Sequence, residues 1–130
     1  EDKIKFKMVE LFKNNFLGTL NNKKKMEIGL HQLRIKCGKN FVGYPVPEGW
    51  HKDGFNYVSL INFQSSNIGG GVSRIKKNLN KEDTYSSFLE KGDYILVNDS
   101  KFYHYTDPIN ILGKSKYGKR DTLVITIKFL

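Results

Sequence analysis

His51, Asp53 and His104 are the residues whose types and spacing first suggest chemistry. His51-Lys52-Asp53 separates an imidazole from a carboxylate by two positions, and in an extended segment both then lie on one face. His104 belongs to a later β-type run that follows Asn98-Asp99. Two imidazoles and one carboxylate can fill one face of an octahedral metal and leave the opposite face open, a set suited to Fe(II) that must also take an oxidant and a cosubstrate. Sixteen residues beyond His104, Arg120-Asp121-Thr122 opens the final strand-like run. A guanidinium and a hydroxyl two apart on one strand face can jointly hold a carboxylate, such as the distal carboxylate of 2-oxoglutarate, whose 2-oxo acid end chelates iron. Each piece also has an ordinary reading. A His beside an Asp is often a hydrogen-bonded loop, Arg120 fits a surface position after the turn at Gly118, and Thr122 is a common β-former. All of them in this order is much rarer by chance.

These residues must be carried by mostly β-type structure. From Lys3 to Leu17, Ile4, Met8, Leu11, Phe12 and Phe16 fall at three- and four-residue spacing, which predicts one amphipathic helix ending near Gly18. Short β-type runs follow, punctuated by Gly, Pro, Asn and Asp: Met26 to Lys36, Phe55 to Phe63, Gly71 to Lys77, Asp93 to Asn98, Phe102 to Thr106 and Thr122 to Leu130. The last run alternates, with Leu123, Ile125, Ile127 and Phe129 against Thr122, Val124, Thr126 and Lys128, so burial of one sheet face is expected. The pattern points to an antiparallel sandwich or jelly-roll barrel in one domain of 130 residues. Tyr44 to Gly49, with prolines at 45 and 47, reads as a rigid extended approach to His51.

Composition removes other classes. Hydrophobic residues at 38% and charged residues at 27% suit a folded chain rather than a disordered one. No apolar stretch is long enough for a membrane helix, and no secretion-type h-region is present. Cys37 is alone, so the chain makes no internal disulfide, and a reducing, cytoplasmic setting is the compatible expectation. The net charge of +9 would suit a nucleic-acid partner, but only Arg34, Arg74 and Arg120 among 22 basic residues are arginine. Phosphate and base-edge readout favour the guanidinium fork, so a solvated lysine surface is the better account. The alternative carried by that charge is a non-catalytic basic β-barrel that binds an acidic polymer.

Five segments bear a resemblance to a known family: His31-Gln32-Leu33-Arg34-Ile35, Pro47-Glu48-Gly49-Trp50-His51-Lys52-Asp53-Gly54, Asn67-Ile68-Gly69-Gly70, Asn98-Asp99 before His104, and Gly118-Lys119-Arg120-Asp121-Thr122-Leu123. Together they resemble the Fe(II)/2-oxoglutarate-dependent dioxygenases, more narrowly the bacterial free L-amino-acid hydroxylases of L-isoleucine dioxygenase type. The resemblance implies a double-stranded β-helix with His51, Asp53 and His104 as metal ligands and Arg120 with Thr122 anchoring the cosubstrate. It further implies Fe(II), 2-oxoglutarate and O2, and hydroxylation coupled to oxidative decarboxylation of 2-oxoglutarate to succinate and CO2. Related halogenases carry a small residue in place of the carboxylate, so Asp53 favours hydroxylation. Only 50 residues precede His51, which implies that part of the family's N-terminal region lies outside these 130 residues.

For a free amino acid as substrate, the carboxylate wants a guanidinium and the ammonium a carboxylate or amide oxygen. Arg34 and Arg74 are the remaining candidates for the carboxylate, and each also reads as a surface ion pair. Trp50, Phe55 and Tyr57 could wall the pocket, although core packing is the favoured reading in a small barrel. Asp99 either supports His104 from behind or turns the chain. His31 is expected to be a packed or exposed histidine rather than a ligand. The oligomeric state has no signature.

Overall fold

The structure is a computed structural model that describes residues 25–130. The amphipathic helix expected over Lys3 to Leu17 lies outside the described residues. Nine strands follow in chain order: β1 (Met26–Gly38), β2 (Tyr57–Ser66), β3 (Ile68–Gly70), β4 (Ser73–Lys76), β5 (Tyr85–Ser87), β6 (Tyr94–Asn98), β7 (Tyr103–Thr106), β8 (Ile109–Ile111) and β9 (Tyr117–Phe129). Among these residues no helix is long and apolar enough to cross a membrane.

A four-stranded sheet runs in the order β1-β9-β2-β6, a three-stranded sheet in the order β5-β4-β7, and β3 pairs with β8. Every pairing is antiparallel. The order departs from the chain sequence, as expected of a double-stranded β-helix whose strands cross from one sheet to the other rather than forming a meander. β3, β5 and β8 are each three residues long, too short for periodicity to reveal. The run expected over Gly71 to Lys77 contracts to β4, because Gly70 and Gly71 take positive φ of 79° and 72° and turn the chain before Ser73.

β9 is longer than its sequence pattern indicates and lies between β1 and β2. Its alternation sorts side chains to two faces, but both faces are buried rather than one. Leu123, Ile125 and Ile127 form the hydrophobic cluster with Met26, Tyr57, Ile61, Leu96 and Phe129 packed against it. Arg120, Thr122 and Thr126 are also buried, on the opposite face. That second face looks into the space between the four- and three-stranded sheets, so its polar residues line a cavity instead of meeting solvent. A bulge at Phe63 interrupts the β2–β9 ladder, where Asn62 pairs with Thr122 but Gln64 pairs with Asp121. The extra residue turns Gln64 onto the outer face, where its Nε2 donates to Asp121 Oδ2 at 3.0 Å.

Candidate metal centre and its cavity

The segment after the two prolines is pinned to β7 by one antiparallel bridge. His51 N–H donates to His104 O at 3.2 Å, and His104 N–H donates to His51 O at 3.0 Å. Residues so paired present their side chains to the same face, and the two imidazole centroids are 4.3 Å apart. His51 Nδ1 lies 2.9 Å from Gly49 O. A carbonyl can only accept, so Nδ1 is the donor here, and in the neutral ring Nε2 is the nitrogen left to hold a metal. Nε2 faces Asp53 Oδ1 at 3.2 Å, while His104 Nε2 faces the other oxygen, Oδ2, at 3.5 Å. One potential ligand atom from each of the three residues lies within 4.8 Å of the others.

The protonation chemistry suits a cation at this point. Burial lowers the pKa of His104, and the neighbouring His51 lowers it further against the opposing pull of Asp53 and Asp99. The neutral imidazole is the form that ligates metals. Two nitrogens and one carboxylate converging in this way fit a divalent metal of imidazole and oxygen preference, which includes Fe(II).

Beneath this cluster is a cavity of about 410 Å³ lined by His51, Asp53, His104, Thr106, Arg120 and Thr122, among others. Arg120 is only 2% exposed. Its Nη2 donates to Ser73 Oγ at 3.2 Å, but its buried Nε has no partner among the described residues. Burial without a carboxylate partner pushes its pKa down to about 10. A buried guanidinium with an unused donor is unfavourable until an anion reaches it. With the hydroxyl of Thr122 beside it in the lining, it fits the far carboxylate of 2-oxoglutarate.

Three of the expected substrate residues, Arg34, Arg74 and Trp50, are not among the described residues that line this cavity. Arg34 lies opposite Asp121 in the β1–β9 ladder and forks onto its carboxylate at 2.6 and 2.9 Å on the outer face. The Arg34 pair holds the Asp121 carboxyl at a pKa of about 2. Arg74 is held by both oxygens of Asp107 at 2.8 Å and by Asp83 at 2.9 Å. Trp50 packs against Tyr105, with ring centroids 5.5 Å apart, and Lys76 Nζ lies 4.7 Å from its centroid. Being next to His51 in an extended segment sends Trp50 to the opposite side.

Phe55, one of the three aromatics that could wall the pocket, does enter the cavity lining, and His31 and Glu48 enter it without having been singled out for it. Tyr57 instead joins the apolar cluster, as core packing requires. His31 shares the inward face of β1 with Leu33 and Ile35, a placement readable only once its opposition to Val124 is known. Ser73, the partner of Arg120, carried no sequence signal of its role. It reaches Arg120 because β4 pairs with β7, bringing it opposite Thr106.

Comparisons with known proteins agree with this architecture. The chain matches the sequence model described as 2OG-Fe dioxygenase over residues 2–126. The crystal structure of IDO from Bacillus thuringiensis superposes with a TM-score of 0.74 at 26% identity, covering 98% of this chain and 59% of that one. A bsmA homologue from Methylobium petroleophilum PM1 gives 0.67 at 29% identity, covering 78% of this chain and 40% of that one. The Fe(II)/(alpha)ketoglutarate-dependent dioxygenase TqaL shares the fold, with a TM-score of 0.63 at 21% identity over 79% of this chain and 42% of its own. The chain thus spans less than two thirds of each of these structures. No curated protein sequence matches it. With the match running over nearly its whole length, the chain belongs to the 2OG-Fe dioxygenase family.

Proposed function

We propose that this protein is an Fe(II)/2-oxoglutarate-dependent dioxygenase that hydroxylates a free L-amino acid, converting 2-oxoglutarate to succinate and CO2 as O2 is consumed. The observation that carries the reading is the pairing of His51, Asp53 and His104 over a cavity that also contains a buried guanidinium with an unused N–H. His51, Asp53 and His104 would hold Fe(II), which supplies the oxidative chemistry when bound. The hydrogen bond from His51 to Gly49 O keeps its Nε2 aimed at Asp53. Arg120 and Thr122 would take the distal carboxylate of 2-oxoglutarate, while Ser73 orients the guanidinium from behind. Leu33, Ile35, Val58, Leu60 and Val124 give the cavity apolar walls, which exclude water and strengthen the charged contacts inside.

For the substrate, Glu48 and Asp53 are the carboxylates of the lining residues. With Asp53 assigned to the metal, Glu48 is the group proposed to receive the substrate ammonium. Arg34 and Arg74 are engaged with aspartates elsewhere, so they are not proposed as the carboxylate clamp.

The test is succinate formation from the 130-residue chain with Fe(II), 2-oxoglutarate and O2 across a panel of free L-amino acids, with mass spectrometry for a gain of one oxygen. Stimulation of succinate by one or a few amino acids, each with its hydroxylated product, is expected. Iron-dependent succinate that no amino acid stimulates removes the substrate class. No iron-dependent turnover removes the catalytic reading for this chain. Under anaerobic conditions, Fe(II) with 2-oxoglutarate should also give a weak visible charge-transfer band that His51→Ala abolishes.

A further inference from the structure

The Asp99 carboxylate is completely buried just after β6, and among the described residues its ion-pair contact is with His104 rather than with a lysine or arginine. A buried carboxylate without a fixed cation is costly unless hydrogen bonds compensate it. Here the compensation comes from the segment that carries a metal ligand. Asp99 Oδ1 accepts the N–H of Asp53 at 3.0 Å, and Oδ2 accepts those of Gly54 at 2.8 Å and Phe55 at 2.9 Å. Three successive amides aimed at one anion form a backbone nest. The nest needs the chain to curl at Gly54, whose φ is +84°, and a Cβ there would meet nothing within 4 Å. The requirement for glycine is therefore conformational rather than steric. The same Oδ1 lies 3.1 Å from His104 Nε2, and the Asp99 N–H donates to Asn56 O at 3.1 Å.

We infer that Asp99 is a positioning residue for the metal centre: its carboxylate locks the backbone of Asp53 against the side of His104, setting the separation of two ligands that arrive from distant parts of the chain. It acts through those residues and is not itself one of the three converging ligands. The three amide bonds use neither imidazole nitrogen and would persist with a metal at His104 Nε2, whereas the contact of that nitrogen with Asp99 Oδ1 would give way to the metal. The inference rests on the proposed metal-binding role of His51, Asp53 and His104, and the experiment separates the two.

Dissociation constants for Mn(II) are measured anaerobically on the 130-residue chain as wild type, Asp99→Asn, Gly54→Ala and Arg34→Ala, with circular dichroism and the Co(II) d–d spectrum of each. Asp99→Asn turns an amide NH2 toward the backbone donors; it should weaken Mn(II) binding about 10- to 100-fold, the usual effect of losing a group that orients metal ligands, and alter the Co(II) bands. Gly54→Ala opposes the left-handed turn without removing the carboxylate, and should weaken Mn(II) in the same direction. Arg34→Ala, on the outer face, should leave the affinity unchanged, so a general loss of stability cannot account for the effect. Wild-type affinity in folded Asp99→Asn overturns the inference while leaving the metal site standing, as does an equal loss in Arg34→Ala. If Asp99→Asn does not fold, Gly54→Ala decides in the same terms. Failure of the wild type to bind Mn(II) or Co(II) overturns the metal-site reading and the inference with it.

Discussion

Arg120 is held where a charge is least comfortable, and that discomfort is informative. A guanidinium 2% exposed with an unpartnered Nε contributes little to stability by itself. Replacing a buried, imperfectly compensated charge with an apolar residue of similar volume often stabilises a protein. Arg120→Met is therefore expected to unfold at equal or higher urea than the wild type, by on the order of 1 kcal/mol, while losing 2-oxoglutarate binding at least 100-fold. Urea melts beside a 2-oxoglutarate titration check both arms. A large fall in stability would show that the guanidinium serves the core rather than a ligand. Glu48 gives a second residue-scale expectation: on the proposed function, Glu48→Gln should raise KM for the proposed amino-acid substrate about tenfold or more with little change in KM for 2-oxoglutarate, consistent with loss of a charge-assisted bond.

At the scale of elements, β9 separates structure from chemistry by face. Ile127 is fully buried in the outward cluster, so Ile127→Ala should cost about 2–5 kcal/mol in chemical unfolding, yet leave the ligand geometry of the folded fraction intact. The outer-face pair of Arg34 and Asp121 behaves differently, because Arg34 is half exposed and its charge is screened. Arg34→Ala should therefore cost little stability. The folded pKa of Asp121 is held at about 2, below its ordinary value of 3.8. Its contribution is thus present above about pH 4 and is lost as pH falls toward 2. The stability difference between wild type and Arg34→Ala, measured by urea unfolding across that range, should shrink on acidification. An unchanged difference at pH 2 would place the pair's contribution in packing rather than charge.

For the whole molecule, a ligand that binds only the folded state stabilises it by mass action. Mn(II) at a hundred times its dissociation constant should add about 2.7 kcal/mol, visible as a raised melting temperature that a chelator reverses and that His51→Ala never shows. The net charge of +9 provides the contrasting experiment. Binding to an acidic polymer through scattered lysines would fall steeply with salt and would be indifferent to Asp53→Ala, whereas metal binding at the proposed site should depend on Asp53 and little on moderate salt. The molecule also shows where sequence patterns stop being informative. Arg34 and Arg74 were equal candidates for a substrate clamp until strand register put Asp121 beside one and the fold brought Asp83 and Asp107 to the other.

His51-x-Asp53, His104 and Arg120-x-Thr122, the residues proposed for the site, could be singled out in the chain itself, because residue types are written there and a two-residue spacing already defines a face of an extended segment. The mainly β architecture was legible for the same reason, through alternation and turn residues. Which face of β9 looked into the cavity was not, since alternation distinguishes two faces without saying what covers either one. The meeting of Asp99 with the amides of residues 53–55, and of Ser73 with Arg120, spans 44 to 47 positions. Contacts of that length arise from strand register and crossover between sheets, so the tertiary structure alone decided them.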